Sequence, residues 1–189
     1  MFRRTLATIA VFMLMASSLV LVSTVDSAAH ESFSDNVLVS WEDPHQFEQR
    51  NPSLAVGPDG NISVVWEGYD THGYPFIYYA RSSDGGESFS NATAVSPGGG
   101  EQWEPKVAVN GTGTIFIVWA EQTADGPDLM LSVSNDSGSN FSAPLEIAPS
   151  TSGQLYPDIA VWGDLVMVTW TQENGSSLDI MAALSLIHI

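Results

Sequence analysis

Three stretches of the chain set carboxylates beside aromatic rings, a combination suited to holding sugars. The carboxylates accept hydroxyl protons, and a ring covers a sugar's apolar face. The first stretch supplies Arg50, Glu67, Asp70, His72 and Tyr74, the second Trp103, Glu104, Glu121 and Asp125, the third Tyr156 and Glu173. Ordinary solvated acidic loops share this composition, so both readings stand for each residue taken singly. The four histidines show no metal-ligand spacing and nothing specifies a cation, so neither metal nor cofactor is expected.

A different acidic site is duplicated. "RSSDGGESFS" (Arg81 to Ser90) carries Ser82, Asp84, Gly86 and Phe89, and "SVSNDSGSNFS" carries Ser134, Asp136, Gly138 and Phe141 at the same relative places. Catalytic centres rarely come in copies, whereas turns do. In each loop the aspartate accepts backbone N–H groups, the glycine takes a positive φ and the phenylalanine packs under a sheet.

The elements that must carry these loops repeat as well. "NPSLAVGPDGNISVVWE", "EPKVAVNGTGTIFIVWA" and "YPDIAVWGDLVMVTWT" align at Pro52, Pro105 and Pro157 and again at Trp66, Trp119 and Trp170, a period of 51 to 53 residues. Each repeat reads as four short strands with Gly-, Asn-, Asp- and Pro-rich turns. In the first complete repeat they fall at Ser53 to Val56, Ile62 to Trp66, Ile77 to Arg81 and Ala92 to Val95. The second strands ("ISVVW", "IFIVW", "VMVTW") are apolar on much of both faces, as in a sheet covered on both sides. Ala55, Ala108 and Ala160 centre the first strands, where a crowded axis admits only a small side chain. Four-stranded units of this period stacked around an axis describe an all-β fold, a β-propeller. Upstream, "SFSDNVLVS" (Ser32 to Ser40) matches "SFSNATAVS" (Ser88 to Ser96), so the segment ending at Ser40 reads as the last strand of a closing blade.

Ser82-x-Asp84-x-Gly86-x-Ser88-Phe89 resembles the Asp-box, or bacterial neuraminidase repeat, of the sialidase superfamily, and the likeness covers most of residues 32 to 184. The resemblance implies a sialidase-like propeller with its boxes on the face away from the substrate. The opposite face, with Glu67, His72, Tyr74, Trp103, Glu104, Glu121, Asp125 and Tyr156, is then the ligand-binding rim. Sialidases open their first blade on an aromatic-Arg-Ile-Pro motif, and "QRNP" (Gln49 to Pro52) matches it at Arg50 and Pro52 only. Carried over, Arg50 is implied as a grip on the substrate carboxylate and Asp70 as the acid/base aspartate. The family's other two arginines have no clear counterpart, since Arg81 falls beside a box and Lys106 is the other basic residue left. Its Tyr–Glu nucleophile pair comes from later blades.

The expected organisation is a signal peptide over residues 1–29 and propeller repeats over 30–183. Within these, 30–48 holds the closing strand and a loop, 49–96 the first blade, 97–148 the second and 149–183 a truncated third, about two and a half blades in all. Residues 184–189, "LSLIHI", break the repeat and look like the translated end of a sequencing adaptor. The apolar run from Leu6 to Val22 with small residues at Ser27, Ala28 and Ala29 reads as an export signal, a retained membrane anchor being the alternative. A formal net charge of −17 repels nucleic acid and anionic membranes. With no cysteine, the fold holds by packing alone. Six of the eight asparagines (Asn61, Asn91, Asn110, Asn135, Asn140 and Asn174) begin N-x-S/T triplets, read either as glycosylation acceptors or as turn composition. The expected protein is a secreted or cell-surface sialidase-like propeller that binds glycans, cell-surface glycoproteins or other extracellular ligands without demonstrable catalysis in this chain. A truncated exo-sialidase and a structural surface module are the alternatives.

Overall fold

The structure, a computed structural model, describes residues 34–40, 48–69, 72–96 and 100–186. The expected signal peptide and Asp70 lie outside the described residues. Among the described residues there is no helix, and the compact unit that carries the sheets runs from Val37 onward.

Among the described residues eleven strands form three antiparallel sheets in chain order. The first sheet is β1 (Gln49–Val56), β2 (Ile62–Tyr69), β3 (Pro75–Ser82) and β4 (Thr93–Ala94). The second repeats it with β5 (Gln102–Val109), β6 (Ile115–Thr123), β7 (Gly126–Ser134) and β8 (Leu145–Glu146). The third has β9 (Gln154–Trp162), β10 (Leu165–Asn174) and β11 (Ser177–Leu186). Strand β11 pairs through Leu186, opposite Leu165, and so runs past Leu184, where the repeat pattern breaks. Val37–Ser40 carries no strand. Val39 instead packs against Val64, Trp66 and Ala80 on the outward side of the first sheet.

The sheets stack face to face, with the first strands β1, β5 and β9 as neighbours. One seam joins Val65, Ile77 and Tyr79 of the first sheet to Val107, Ile115, Ile117 and Trp119 of the second. The next joins Phe116, Val118, Leu129 and Leu131 to Val166, Val168 and Trp170. The middle strand β6 is therefore buried on both sides, which explains its unbroken apolar run. Strand β10 has one covered face and alternates: Val166, Val168 and Trp170 are buried while Met167 between them is 43% exposed. The open face also holds Ile180, Leu184 and Trp162, exposed by 78%, 64% and 83%.

Polar links cross each seam. Gln102, fully buried, accepts from the Ile77 N–H at 3.3 Å and donates to the Ser96 carbonyl at 2.9 Å. Gln154, also fully buried, does the same one sheet later, accepting from the Leu129 N–H at 3.2 Å and donating to the Ala148 carbonyl at 2.6 Å. Each glutamine opens the first strand of its sheet and ties it to the sheet before.

The two Ser-x-Asp-x-Gly loops close on themselves. Asp84 accepts from Ser82 Oγ at 2.7 Å, the Ser88 N–H at 3.0 Å and Ser88 Oγ at 2.5 Å, while the Gly86 N–H donates to Ser82 Oγ at 2.9 Å. In the second loop Asp136 accepts from Ser134 Oγ at 2.8 Å, the Asn140 N–H at 2.9 Å and Asn140 Nδ2 at 2.8 Å. These donors favour the charged carboxylate, so Asp84 is held well below the usual range and Asp136 at about 2. The second loop also packs back on the first sheet. Phe141 meets the Tyr79 ring edge-on at 5.1 Å, and a Cβ on Gly138 (φ 83°) would lie 2.3 Å from that ring. Phe89 packs on the outward side of the first sheet, against Val64, Trp66 and Ala80.

Candidate functional site

Every first strand is broken at the same place. The ladder slips between Arg50 and Ser53, between Trp103 and Lys106, and beside Tyr156 on the third sheet, where the pairing skips from Thr169 to Thr171. At each bulge the residue before the repeat proline takes a left-handed backbone: Asn51 at φ 51°, Glu104 at 57° and Tyr156 at 55°. A left-handed conformation costs a non-glycine residue roughly 1–2 kcal/mol. Bulges of this kind re-aim a side chain and cluster at functional sites. Three equivalent outliers on neighbouring strands point their residues into one place.

That place is an open cleft of about 830 Å³, lined by Asn51 and Pro52, Glu104 and Lys106, and Tyr156, Pro157 and Asp158. All three sheets contribute. Glu104 Oε2 accepts the Tyr156 N–H at 2.8 Å, so a side chain of the second sheet fixes the bulge of the third. Glu67, buried on β2, stands behind the wall, where its carboxylate takes Asn51 Nδ2 at 2.8 Å and the Tyr69 hydroxyl at 3.3 Å. Burial pushes the Glu104 carboxyl above its ordinary range. The Tyr156 N–H opposes this, the charge of Glu67 adds to it and Lys106 opposes it again. Tyr156 is 63% exposed, the exposure a ring needs to stack on a sugar.

The rim residues named from sequence divide on this geometry. Glu104 and Tyr156 line the cleft and Glu67 backs it. Trp103 does not reach it: opposite Ala120 in the ladder, it is half-buried in the seam between the second and third sheets. Glu121 is tied by the Gly100 N–H at 3.1 Å, Gln102 Nε2 at 3.0 Å and Trp119 Nε1 at 3.0 Å, and so braces the first seam. His72 and Tyr74 are exposed in the turn between β2 and β3, and Asp125 is exposed in the hairpin between β6 and β7. Glu173 lies beside Gly153 at the end of the third sheet. Arg50 lies apart from the cleft. Half-exposed, it is ion-paired with Glu48, sits 5.7 Å above the Tyr69 ring and borders a separate crevice of about 190 Å³ with Val39, Gln49 and Trp66. Asp70 lies outside the described residues.

Asn51, Lys106 and Asp158 escaped the sequence reading, as did the buried glutamines. For Asn51 and the glutamines the signal is present as a four-residue repeat, "QRNP", "QWEP" and "QLYP", whose first position ties the seams at Gln102 and Gln154 and whose third forms the cleft.

No family model matches the chain, and no curated protein matches it either. Solved structures do resemble it. An α-L-arabinanase of Penicillium chrysogenum, complexed with arabinobiose, superposes with a TM-score of 0.62 at 15% identity, over 76% of this chain and 48% of its own. A family 117 glycoside hydrolase of the marine bacterium Zobellia galactanivorans gives 0.58 at 13%, over 79% and 56%. A Hadza microbial sialidase gives 0.55 at 16%, over 78% and 34%. The chain spans about half the length of the arabinanase. At these identities the likeness is one of fold: the chain is all-β, and its three stacked sheets are blades of a β-propeller, the fold it shares with these structures.

Proposed function

We propose that the chain is a secreted, sialidase-like propeller, its duplicated loops Asp-boxes, that binds glycans through the cleft where its first strands converge. The observation that carries this reading is the set of three left-handed bulges at Asn51, Glu104 and Tyr156 opening on one cleft. The cleft offers an exposed ring, two carboxylate acceptors and an ammonium donor, a small set of polar groups that fixes a sugar's orientation. The solved structures of similar fold include carbohydrate-acting enzymes, one complexed with arabinobiose, which favours a carbohydrate ligand here. Secretion rests on the N-terminal sequence alone and is tested by sequencing the mature protein recovered from the medium. This reading is one of binding without catalysis in this chain, and the engagement of Arg50 by Glu48 away from the cleft favours it.

A glycan array probed with the purified chain is the test. Binding to at least one carbohydrate is expected, weakened about tenfold, or about 1.4 kcal/mol, by Tyr156→Ala. Binding that ignores Tyr156→Ala and also Glu104→Ala would place the ligand elsewhere.

A further inference from the structure

The charges around the cleft bear on what kind of sugar it takes. Glu104 and Asp158 line it and Glu67 stands directly behind, against the single cation Lys106. Apart from Lys106, the basic residues among those described are Arg50 and Arg81. Arg50 is ion-paired with Glu48 and borders another crevice. Arg81 donates to the Ser137 carbonyl at 3.2 Å at the second Ser-x-Asp-x-Gly loop. No guanidinium fork therefore faces the cleft among the described residues, and a fork is the natural partner of a sugar carboxylate.

We propose that this cleft selects uncharged oligosaccharides and rejects those carrying a carboxylate, sialic acids and uronic acids included. The proposal rests on the glycan-binding reading above and deepens it. A carboxylate entering the cleft meets the negative charges of Glu67, Glu104 and Asp158, with Lys106 as its one close counter-charge among the described residues. A hydroxyl-rich sugar meets the same carboxylates as hydrogen-bond acceptors. Burial above all, with the charge of Glu67 adding to it, raises the titration of Glu104, so the cleft wall already disfavours one of its own negative charges. Rejection through like charges of this kind is specificity by repulsion. The overall charge of −17 extends it beyond the cleft.

The experiment is isothermal titration of the full chain with matched pairs. Neutral oligosaccharides that bind on an array are compared with the same cores bearing a terminal sialic or uronic acid. The expected result is at least a tenfold weaker affinity for the acidic member at low salt. The gap should narrow at 1 M salt, where screening shortens the reach of the charges to about 3 Å. It should narrow again in the double variant Glu104→Gln with Asp158→Asn, which removes two charges and keeps an acceptor for the Tyr156 N–H. An acidic member bound as tightly as its neutral partner overturns the selectivity and leaves glycan binding standing. Silence across neutral and acidic sugars alike overturns both.

Discussion

Gln102 Oε1 accepts the main-chain proton of Ile77 at 3.3 Å across the seam between the first two sheets. The same side chain donates to the Ser96 carbonyl and to Glu121, so its loss strands partners on both sheets. Gln102→Leu should destabilise the chain by about 1–3 kcal/mol, the cost of unpaired buried groups. Exposed Gln122→Leu should cost far less. Urea denaturation of the two variants makes the comparison, and equal midpoints would show that the amide carries no strap energy.

The Asp84 and Asp136 loops predict an acid limb. Both carboxylates titrate lower in the folded chain than in the unfolded one, so unfolding takes up protons as pH falls. Their stabilisation is complete above the ordinary value near 3.8 and is lost as pH drops toward about 2 for Asp136 and lower for Asp84. Melting temperature should therefore fall between pH 4 and pH 2, and Asp84→Ala combined with Asp136→Ala should flatten that fall. An unchanged acid slope in the double variant would assign the limb to other carboxylates.

Glu104 predicts the opposite sign. Its folded value lies above its ordinary 4.5, so the folded chain holds the proton longer and this group's contribution to stability declines as pH rises through that window. Glu104→Gln keeps an acceptor for the Tyr156 N–H and removes the charge. At pH values above that window the variant should melt at or above the wild-type temperature. A lower melting temperature there would show that the ionised carboxylate supports the fold.

Asn110 separates the two readings of the N-x-S/T triplets. Its Oδ1 accepts from the Thr112 N–H at 3.0 Å, the Thr114 N–H at 2.9 Å and Thr112 Oγ1 at 2.7 Å, and the residue is only 5% exposed. It is a turn residue with no room for a glycan. Expressed in a glycosylating host, the folded product should carry no sugar at Asn110 by peptide mapping. Asn110→Ala should cost about 1–3 kcal/mol.

The open face of the third sheet predicts association. Trp162, Ile180 and Leu184 lie uncovered on one side of paired strands, an exposed apolar surface of the kind that recruits partners. Sedimentation of the chain should show concentration-dependent association, and Ile180→Lys with Leu184→Lys should shift it toward monomer. Identical behaviour of the two proteins would place the contact elsewhere.

The period was legible because proline and tryptophan recur at fixed places, and the second strands because they are buried on both faces. Strand ends were harder to read: β2 runs on through Glu67, Gly68 and Tyr69, residues whose local preference is mixed, because pairing with β3 holds them. The face each residue takes was harder still. Trp103 reads as an exposed aromatic beside an acid, yet a bulge after it sets the register that turns it into a seam. The cleft was only half visible. Glu104 and Tyr156 drew notice as acid and ring, while Asn51 acts through Glu67, sixteen residues on, and the glutamines of the same motif through backbone groups twenty-five residues back, partners that the motif itself does not name.

The buried glutamines also give the chain a direction. Each reaches back from the opening strand of its own sheet to the third strand of the preceding one and to the carbonyl beyond its fourth. Its two acceptor and donor sites do not exist until that earlier sheet has formed. Each sheet thus offers the fixed backbone groups on which the opening strand of the next is fastened. The straps run one way along the chain, so losing one sheet strands the glutamine of the sheet that follows it.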